Sequence, residues 1–217
     1  MVRNIGEKNS ILSQFVSEIR DINIQQDSMR FRRNLERIGE IFAYEISKEL
    51  EYKNTDVETP LGICNMDLPV QNIVLSTILR AGLPFHQGFL NYFDKAENAF
   101  VSAYRKYHKD GTFEINMNYL SSPSLEGKIL ILTDTMLATG ASFKVVYQAL
   151  VENEEPVHTH IAIAIASQEG LKAIEKFIPN DKITIWVAAI DSELTAKSYI
   201  VPGLGDAGDL AYGEKEY

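Results

Sequence analysis

The sequence has very little cysteine, since Cys64 is the only one among 217 residues. An intrachain disulfide is therefore excluded, and no Cys-x-x-Cys or Cys/His spacing of a metal site is present. We expect Cys64 to be a small buried residue. The sequence also lacks an apolar run of about 18 residues and the apolar core of a signal peptide. These absences predict no membrane span and a reducing, cytoplasmic location.

Basic residues are also scarce, with 21 Lys and Arg against 30 Asp and Glu, a formal net charge of −9. The deficit lies in the second half, because residues 1–110 hold 14 basic and 15 acidic side chains and residues 111–217 hold 7 and 15. Nonspecific nucleic-acid binding needs clustered Lys and Arg, so this composition argues against a nucleic-acid partner. A phosphate ligand would have to be held locally, by backbone N–H groups and a few placed arginines.

An amphipathic pattern dominates residues 28–50, where apolar side chains recur at steps of three and four and predict a long helix with one buried face. The apolar positions are Phe31, Leu35, Ile38, Phe42, Ile46 and Leu50. Four arginines are interspersed among them: Arg30, Arg32, Arg33 and Arg37. We interpret these arginines as a solvated helix face, with a phosphate or subunit contact as the alternative.

Beyond Pro69 the pattern changes to short apolar runs bounded by Gly, Pro or polar clusters. Strands are predicted at 70–79, 99–104, 113–120, 128–133, 161–166 and 183–188, with helices at 83–93, 142–152 and 169–177. Buried strands that alternate with helices indicate an α/β protein with a parallel sheet covered on both faces. We expect one domain over 1–217, with ligands at the carboxyl ends of the strands.

Two patterns resemble ligand sites but fail on their context. The glycines of residues 203–208 match G-x-G-x-x-G, yet a dinucleotide site needs a following helix and an acidic residue about 20 positions on. Only nine residues follow Gly208. His158 and His160 would share one strand face, but no third metal ligand of suitable spacing is nearby. The sequence therefore predicts neither a dinucleotide nor a protein-held metal at these positions.

A stronger signal follows the predicted strand at 128–133, where the acid Asp134 and a run of small and hydroxyl residues lead into a helix. Successive amides of such a turn, together with the helix N-terminus, suit a phosphate monoester. Thr139 and Ser142 could add hydroxyl donors, and Asp134 could accept hydrogen bonds from a sugar. An ordinary helix start capped by Thr139 or Ser142 explains the same residues equally well.

The run Asp-Thr-Met-Leu-Ala-Thr-Gly-Ala-Ser at 134–142 resembles the ribose-5-phosphate loop of type I phosphoribosyltransferases, and specifically that of uracil phosphoribosyltransferases. Ile78–Leu83 resembles the pyrophosphate loop of that family, and Tyr199–Asp209 resembles its uracil-binding segment. Weaker similarities lie at 19–21, 31–32, 44–45, 58–61 and 189–191. The resemblance covers nearly the whole chain from about Ser10.

This resemblance implies a type I phosphoribosyltransferase-like core of mainly parallel sheet, an N-terminal helical segment at about 10–52 and a C-terminal base-binding hood at about 191–213. It also implies transfer of ribose 5-phosphate from 5-phosphoribosyl-1-pyrophosphate (PRPP) to uracil, giving UMP and pyrophosphate. Mg²⁺ would arrive bound to the diphosphate. A homodimer or higher homo-oligomer is expected, for which the long N-terminal helix could supply the contact, and GTP is a candidate effector.

The resemblance also assigns site residues. PRPP would be bound by Arg80, Arg105, Asp134, Thr135, Met136, Leu137, Ala138, Thr139, Gly140, Ala141, Ser142 and Asp206. Uracil would be bound by Ile200, Gly205, Asp206 and Ala207. Arg105, Asp134 and Asp206 would have catalytic roles, with Arg105 on a mobile loop that closes over the substrate.

Departures from the family pattern leave an alternative function open. Thr135 replaces a proline, Ala141 replaces a glycine, Leu210 replaces a frequent arginine, and Lys106-Tyr107-His108 follows Arg105 where Asp-Glu is usual. A protein weakened in catalysis could instead sense pyrimidine or phosphoribosyl ligands. An enzyme that uses another base is a third hypothesis, which the retained segment 200–208 disfavours.

Overall fold

The computed structural model describes residues 1–107, 113–179 and 181–215, with the backbone alone at 104–107 and 113–115. Its strands are β1 (Val2–Asn4), β2 (Tyr52–Thr59), β3 (Gly62–Pro69), β4 (Ile73–Leu79), β5 (Glu97–Tyr107), β6 (Phe113–Ser121), β7 (Ile129–Leu137), β8 (His158–Ser167), β9 (Ile183–Asp191), β10 (Glu193–Leu194) and β11 (Ile200–Val201). Its helices are α1 (Ile11–Arg20), α2 (Ser28–Ser47), α3 (Gly82–Leu90), α4 (Ala141–Val151), α5 (Gln168–Phe177) and α6 (Ala207–Tyr212).

A seven-stranded sheet in the order β1-β9-β8-β7-β4-β5-β6 forms the centre of the molecule. All neighbouring strands run parallel except β5 and β6. The predicted α/β class and mainly parallel sheet are confirmed. Since parallel strands point the same way, the loops after β4, β7 and β9 meet at one edge of the sheet.

Helices cover both faces of the sheet, because alternate side chains of each central strand belong to different cores. Ile129 and Ile131 of β7 join the core that contains the buried faces of α1, α2 and α3. Leu130 and Leu132 join the core that contains α4 and α5. The near-continuous apolar runs of the sequence therefore reflect strands that are buried on both sides.

The long amphipathic helix is confirmed over Ser28–Ser47, and its apolar face is fully buried, as Phe31 and Phe42 show. Another predicted boundary was too short. β7 continues four residues past Thr133, because Asp134 and Met136 pair with Ile163 and Ile165 of β8. The first part of the predicted phosphate turn is therefore strand.

The pattern from 52 to 69 gave no strand prediction, but these residues form the antiparallel hairpin β2–β3. Almost every residue of this hairpin is exposed, including Ile63, which is 71% exposed. Cys64 lies on β3 and is exposed, so the expectation of a buried cysteine was wrong. Among the described residues, no helix combines the length and the apolar character needed to cross a membrane.

Candidate active site

A cavity of about 1360 Å³ opens at the carboxyl ends of the central strands. It brings together the sequence-predicted residues that lie within the described side chains: Arg80, Asp134, Thr135, Met136, Leu137, Ala138, Thr139, Gly140, Ala141, Ser142, Ile200, Gly205, Asp206 and Ala207. The side chain of Arg105 and residue His108 lie outside the description. Three segments far apart in sequence therefore meet where an α/β sheet binds ligands.

The loop predicted to bind phosphate, called the phosphate loop below, is shorter than the sequence suggested, because only residues 138–140 separate β7 from α4. Gly140 precedes α4 with φ of 77°, a backbone conformation that favours glycine, and makes no side-chain capping bond. Neither Thr139 nor Ser142 is the N-cap residue of α4, although the Thr139 hydroxyl oxygen accepts a long hydrogen bond from the Ala141 amide at 3.4 Å. The other amides in the first turn of α4 have no partner within the helix and could bind an anion.

The neighbouring βα unit supports this loop from behind. Ser167, at the end of β8, donates a hydrogen bond from its hydroxyl to the Ala138 carbonyl and accepts one from the Gly170 amide. A side chain at Gly170 would have its Cβ 2.8 Å from the Leu137 carbonyl oxygen and closer still to that of Ala138. The loop backbone is thus held in place by residues at the end of β8 and the start of α5.

Asp134 lies half-buried in the cavity wall, and among the described residues no Lys or Arg forms an ion pair with it. The Thr135 amide donates to its Oδ1 at 2.7 Å. Burial raises the pKa of Asp134 to about 7, against the opposing effect of the Thr135 and Met136 amides. A ligand that donates hydrogen bonds or brings positive charge would favour the ionised carboxylate.

Thr135, which replaces the family proline, connects two substrate loops. Its buried hydroxyl donates to the Ala81 carbonyl at 2.9 Å, and Ala81 lies between β4 and α3 in the predicted pyrophosphate loop. Proline would lack both this hydroxyl and the amide that binds Asp134. The departure therefore adds two hydrogen bonds at the site.

Arg80 extends from the predicted pyrophosphate loop toward the C-terminal segment. Its Nη2 donates to Asp209 Oδ1 at 3.2 Å and to the Gly213 carbonyl at 3.4 Å. Its buried Nε has no partner among the described residues. Because the bonds to Nη2 are long and the side chain is 38% exposed, a diphosphate could take over this guanidinium.

Residues 193–212, called the base segment below because they include the predicted uracil-binding residues, form a hood of β10, β11 and α6 beside the cavity. Ile200 begins β11 and is buried, while Gly205 has φ of 92° and an open position beside it. Asp206 Oδ1 accepts the amides of Gly208 and Asp209 and caps α6. Asp206 therefore has a structural role that the sequence did not reveal, in addition to its place in the cavity wall.

The described lining residues include two cations, Arg80 and Lys215, and four carboxylates. The carboxylates are Asp134, Asp206, Asp209 and Glu214. Lys215 and Glu214 were missed because a tail sequence carries no pattern that shows where it folds back. A strongly anionic ligand would meet more negative than positive side chains here, so backbone amides or a bound cation must supply the remaining attraction.

An open, mainly parallel sheet in which the loops after two neighbouring strands and a C-terminal hood line one cavity is the arrangement of a type I phosphoribosyltransferase. Solved structures agree with this class. The structure has a TM-score of 0.86 to the AQ2163 protein from Aquifex aeolicus, at 31% identity over 100% of both chains. It has a TM-score of 0.52 to a hypoxanthine phosphoribosyltransferase from Staphylococcus aureus, at 15% identity over 87% of this chain and 84% of that one, which shows the shared fold alone.

Sequence comparison narrows the class to one family. The family model described as uracil phosphoribosyltransferase matches residues 7–214. The uracil phosphoribosyltransferase of Porphyromonas gingivalis is 55% identical over 214 residues, 99% of each chain. That of Pyrococcus furiosus is 38% identical over 213 residues, 96% of this chain and 88% of its own. The chain belongs to the uracil phosphoribosyltransferase family.

Proposed function

We propose that this protein transfers ribose 5-phosphate from PRPP to N1 of uracil, giving UMP and pyrophosphate, in the cavity described above. One observation carries the proposal: the phosphate loop, Arg80 and the base segment line a single cavity at the carboxyl edge of the sheet. The distances between the two reacting centres are then set by the sheet, so both substrates can be held in line for transfer.

The phosphate loop and Asp134 would hold the phosphoribosyl group. Amides from Ala138 to Ser142 bind the 5-phosphate, and Asp134 accepts hydrogen bonds from the ribose hydroxyls. Bond cleavage at the anomeric carbon gives an oxocarbenium-like state, as in glycoside cleavage. A nearby ionised Asp134 stabilises that positive charge, and Arg80 stabilises the negative charge on the departing diphosphate. Arg105 and Asp206 are proposed to contact PRPP as the resemblance implies.

Mg²⁺ fits this site as a partner of the diphosphate rather than of the protein. The described residues include no group of three His, Cys, Asp or Glu positioned for a metal ion. The cavity wall does offer separate carboxylate oxygens, such as that of Asp206, which can bind the waters that Mg²⁺ retains. When bound, the ion would neutralise part of the diphosphate charge.

Uracil would be read by backbone groups of Ile200, Gly205 and Ala207. A fixed N–H opposite O4 accepts uracil and opposes the amino group of cytosine, which costs about 1 to 3 kcal/mol per mismatched group in a buried site. The open position beside Gly205 lets the main chain approach the ring. These backbone contacts explain why glycines recur here without a dinucleotide.

The test is UMP formation by the purified protein from labelled uracil and PRPP with Mg²⁺. Turnover with uracil and none with cytosine is expected. A folded protein that makes no UMP above buffer contradicts the proposal, and tight PRPP or UMP binding by calorimetry without turnover would support the ligand-sensing alternative. Repeating the assay with GTP tests the effector hypothesis.

We also expect a homodimer or higher homo-oligomer in the cytoplasm. The long helix α2 is a poor candidate for the contact, because its apolar face is buried within the chain. The hairpin β2–β3 is a better one, since it exposes Leu61, Ile63 and Met66. Light scattering of the intact chain measures the assembly, and a monomer at all concentrations contradicts this expectation.

A further inference from the structure

An arginine–carboxylate pair lies directly behind the base segment. Arg20, the last residue of α1, donates from Nη1 and Nη2 to the two carboxylate oxygens of Asp191 at 2.8 and 2.9 Å. Asp191 ends β9 and is 7% exposed. The two residues are 171 positions apart, and neither is among the described residues that line the cavity.

Both members of the pair also bind one residue of the base segment, Gly203. The Gly203 amide donates to Asp191 Oδ2 at 2.9 Å, and the Gly203 carbonyl accepts from Arg20 Nη1 at 3.0 Å. The two main-chain polar groups of a buried glycine are therefore both satisfied by one ion pair. Such a bidentate arrangement fixes direction as well as distance.

The conformation and packing at Gly203 exclude any residue with a side chain. Its φ is 56°, and a Cβ there would collide with the Ile200 carbonyl. Gly203 is thus packed against Ile200, and Gly205 lies two residues further along the chain. Displacing Gly203 would displace the groups that are proposed to read the base.

We infer that Arg20 and Asp191 are positioning residues for the nucleobase, acting through Gly203 to set the place of the base-reading backbone. This inference rests on the proposed function for the identity of the base. It also gives a role to residues 19–21 and 189–191, two segments that resemble the family. Neither segment was assigned to PRPP or to uracil binding above. Binding of the phosphoribosyl group, on the loop after β7, does not depend on this pair.

The chain supplies a matched control in the pair of Glu18 and Arg30. Arg30 also binds its carboxylate in bidentate fashion, with both distances 2.8 Å. The Glu18 and Asp191 side chains are equally buried, at 7% exposure. Both pairs involve α1, but Glu18 connects α1 to α2 and makes no bond to the base segment.

The experiment compares Asp191→Asn with Glu18→Gln in the intact protein. Misplacing a substrate-binding backbone by a fraction of an ångström should raise the KM for uracil about 10-fold in Asp191→Asn and leave the KM for PRPP within about 2-fold. Glu18→Gln should leave the KM for uracil and the KM for PRPP unchanged, although it should lower Tm by about as much as Asp191→Asn does. Arg20→Lys keeps the charge but cannot bind both carboxylate oxygens and the Gly203 carbonyl, so it should raise the KM for uracil by an intermediate factor. It replaces Asp191→Asn in the comparison if Asp191→Asn does not fold.

Hydrogen exchange of the peptide spanning 195–208, on the same proteins, gives a readout that does not require turnover. Exchange is expected to be about 10-fold faster in Asp191→Asn and unchanged in Glu18→Gln. Unchanged exchange in the folded Asp191 and Arg20 variants overturns the inference, as does an equal rise in uracil KM in the control. A wild-type protein that makes no UMP overturns the proposed function instead, and the exchange result still decides the role of the pair.

Discussion

Asp134 and Asp191 lie toward the carboxyl ends of two parallel strands, at the same edge of the sheet, yet their surroundings are opposite. Asp134 lies three residues before the end of β7, lines the cavity and has no Lys or Arg partner among the described residues. Asp191 ends the buried part of β9, lies behind the base segment and is paired with Arg20. The acid with no cation partner among the described residues is the one that we propose for the ligand, whereas the paired acid binds the backbone of Gly203.

The strongest test of this difference is Asp134→Asn. The amide retains the size of the side chain but loses the charge that would face the ribose and the oxocarbenium-like state. We expect kcat/KM to fall about 100-fold or more, since a charge placed at a transition state is worth that much in other enzymes. Steady-state UMP formation measures it. Activity within a few fold of wild type would show that Asp134 is a structural residue.

Gly170→Ala tests whether the phosphate loop depends on its support from behind. The new methyl group would collide with the Ala138 and Leu137 carbonyls. Overpacking of this kind costs about 1 to 3 kcal/mol in unfolding free energy, and the displaced loop should raise the KM for PRPP more than that for uracil. Thermal unfolding and KM measurements check both effects. A rise in uracil KM alone would contradict the separation of the two regions.

The pH dependence of the unfolding free energy should also distinguish Asp134 from Asp191. The pKa of Asp134 is raised to about 7 in the folded protein from an ordinary 3.8. Between these two pKa values the folded state therefore holds a proton that the unfolded state releases. The contribution of this proton to the unfolding free energy is fully present below about pH 4 and is lost as the pH rises to about 7.

Asp134→Asn removes the ionisable group and therefore removes the loss of stability that Asp134 causes as the pH rises. Because the carboxylate is partly screened by solvent, we expect the variant to gain about 1 kcal/mol in unfolding free energy at pH 8 and nothing near pH 4. Asp191→Asn should instead lose stability at pH 8, because it breaks a buried ion pair. Denaturant titrations at both pH values measure these changes, and a loss at pH 8 in both variants would remove the contrast.

The features that sequence predicted well are local. Buried apolar runs identified the central strands, and the run at 134–142 identified the strand, loop and helix start that line the cavity. The features it missed depend on distant partners. The extension of β7 through Asp134 requires pairing with β8, and the bond between Arg20 and Asp191 joins residues 171 positions apart. The exposed Cys64 was misjudged because a residue-type preference says nothing about a hairpin that extends away from the core.

The smallest expected effect concerns Ala141, where the family usually has a second glycine. The structure places Ala141 at the first position of α4, with ordinary helical geometry, while Gly140 alone takes the positive φ of the loop. Alanine should therefore stabilise the helix start without closing the phosphate site. We expect Ala141→Gly to lower the unfolding free energy by about 0.5 kcal/mol and to leave the KM for PRPP within about 2-fold.

Gly140→Ala is the matched control, since its positive φ predicts a larger loss of stability and weaker PRPP binding. Equal effects at the two positions would mean that the loop needs flexibility throughout rather than one left-handed residue.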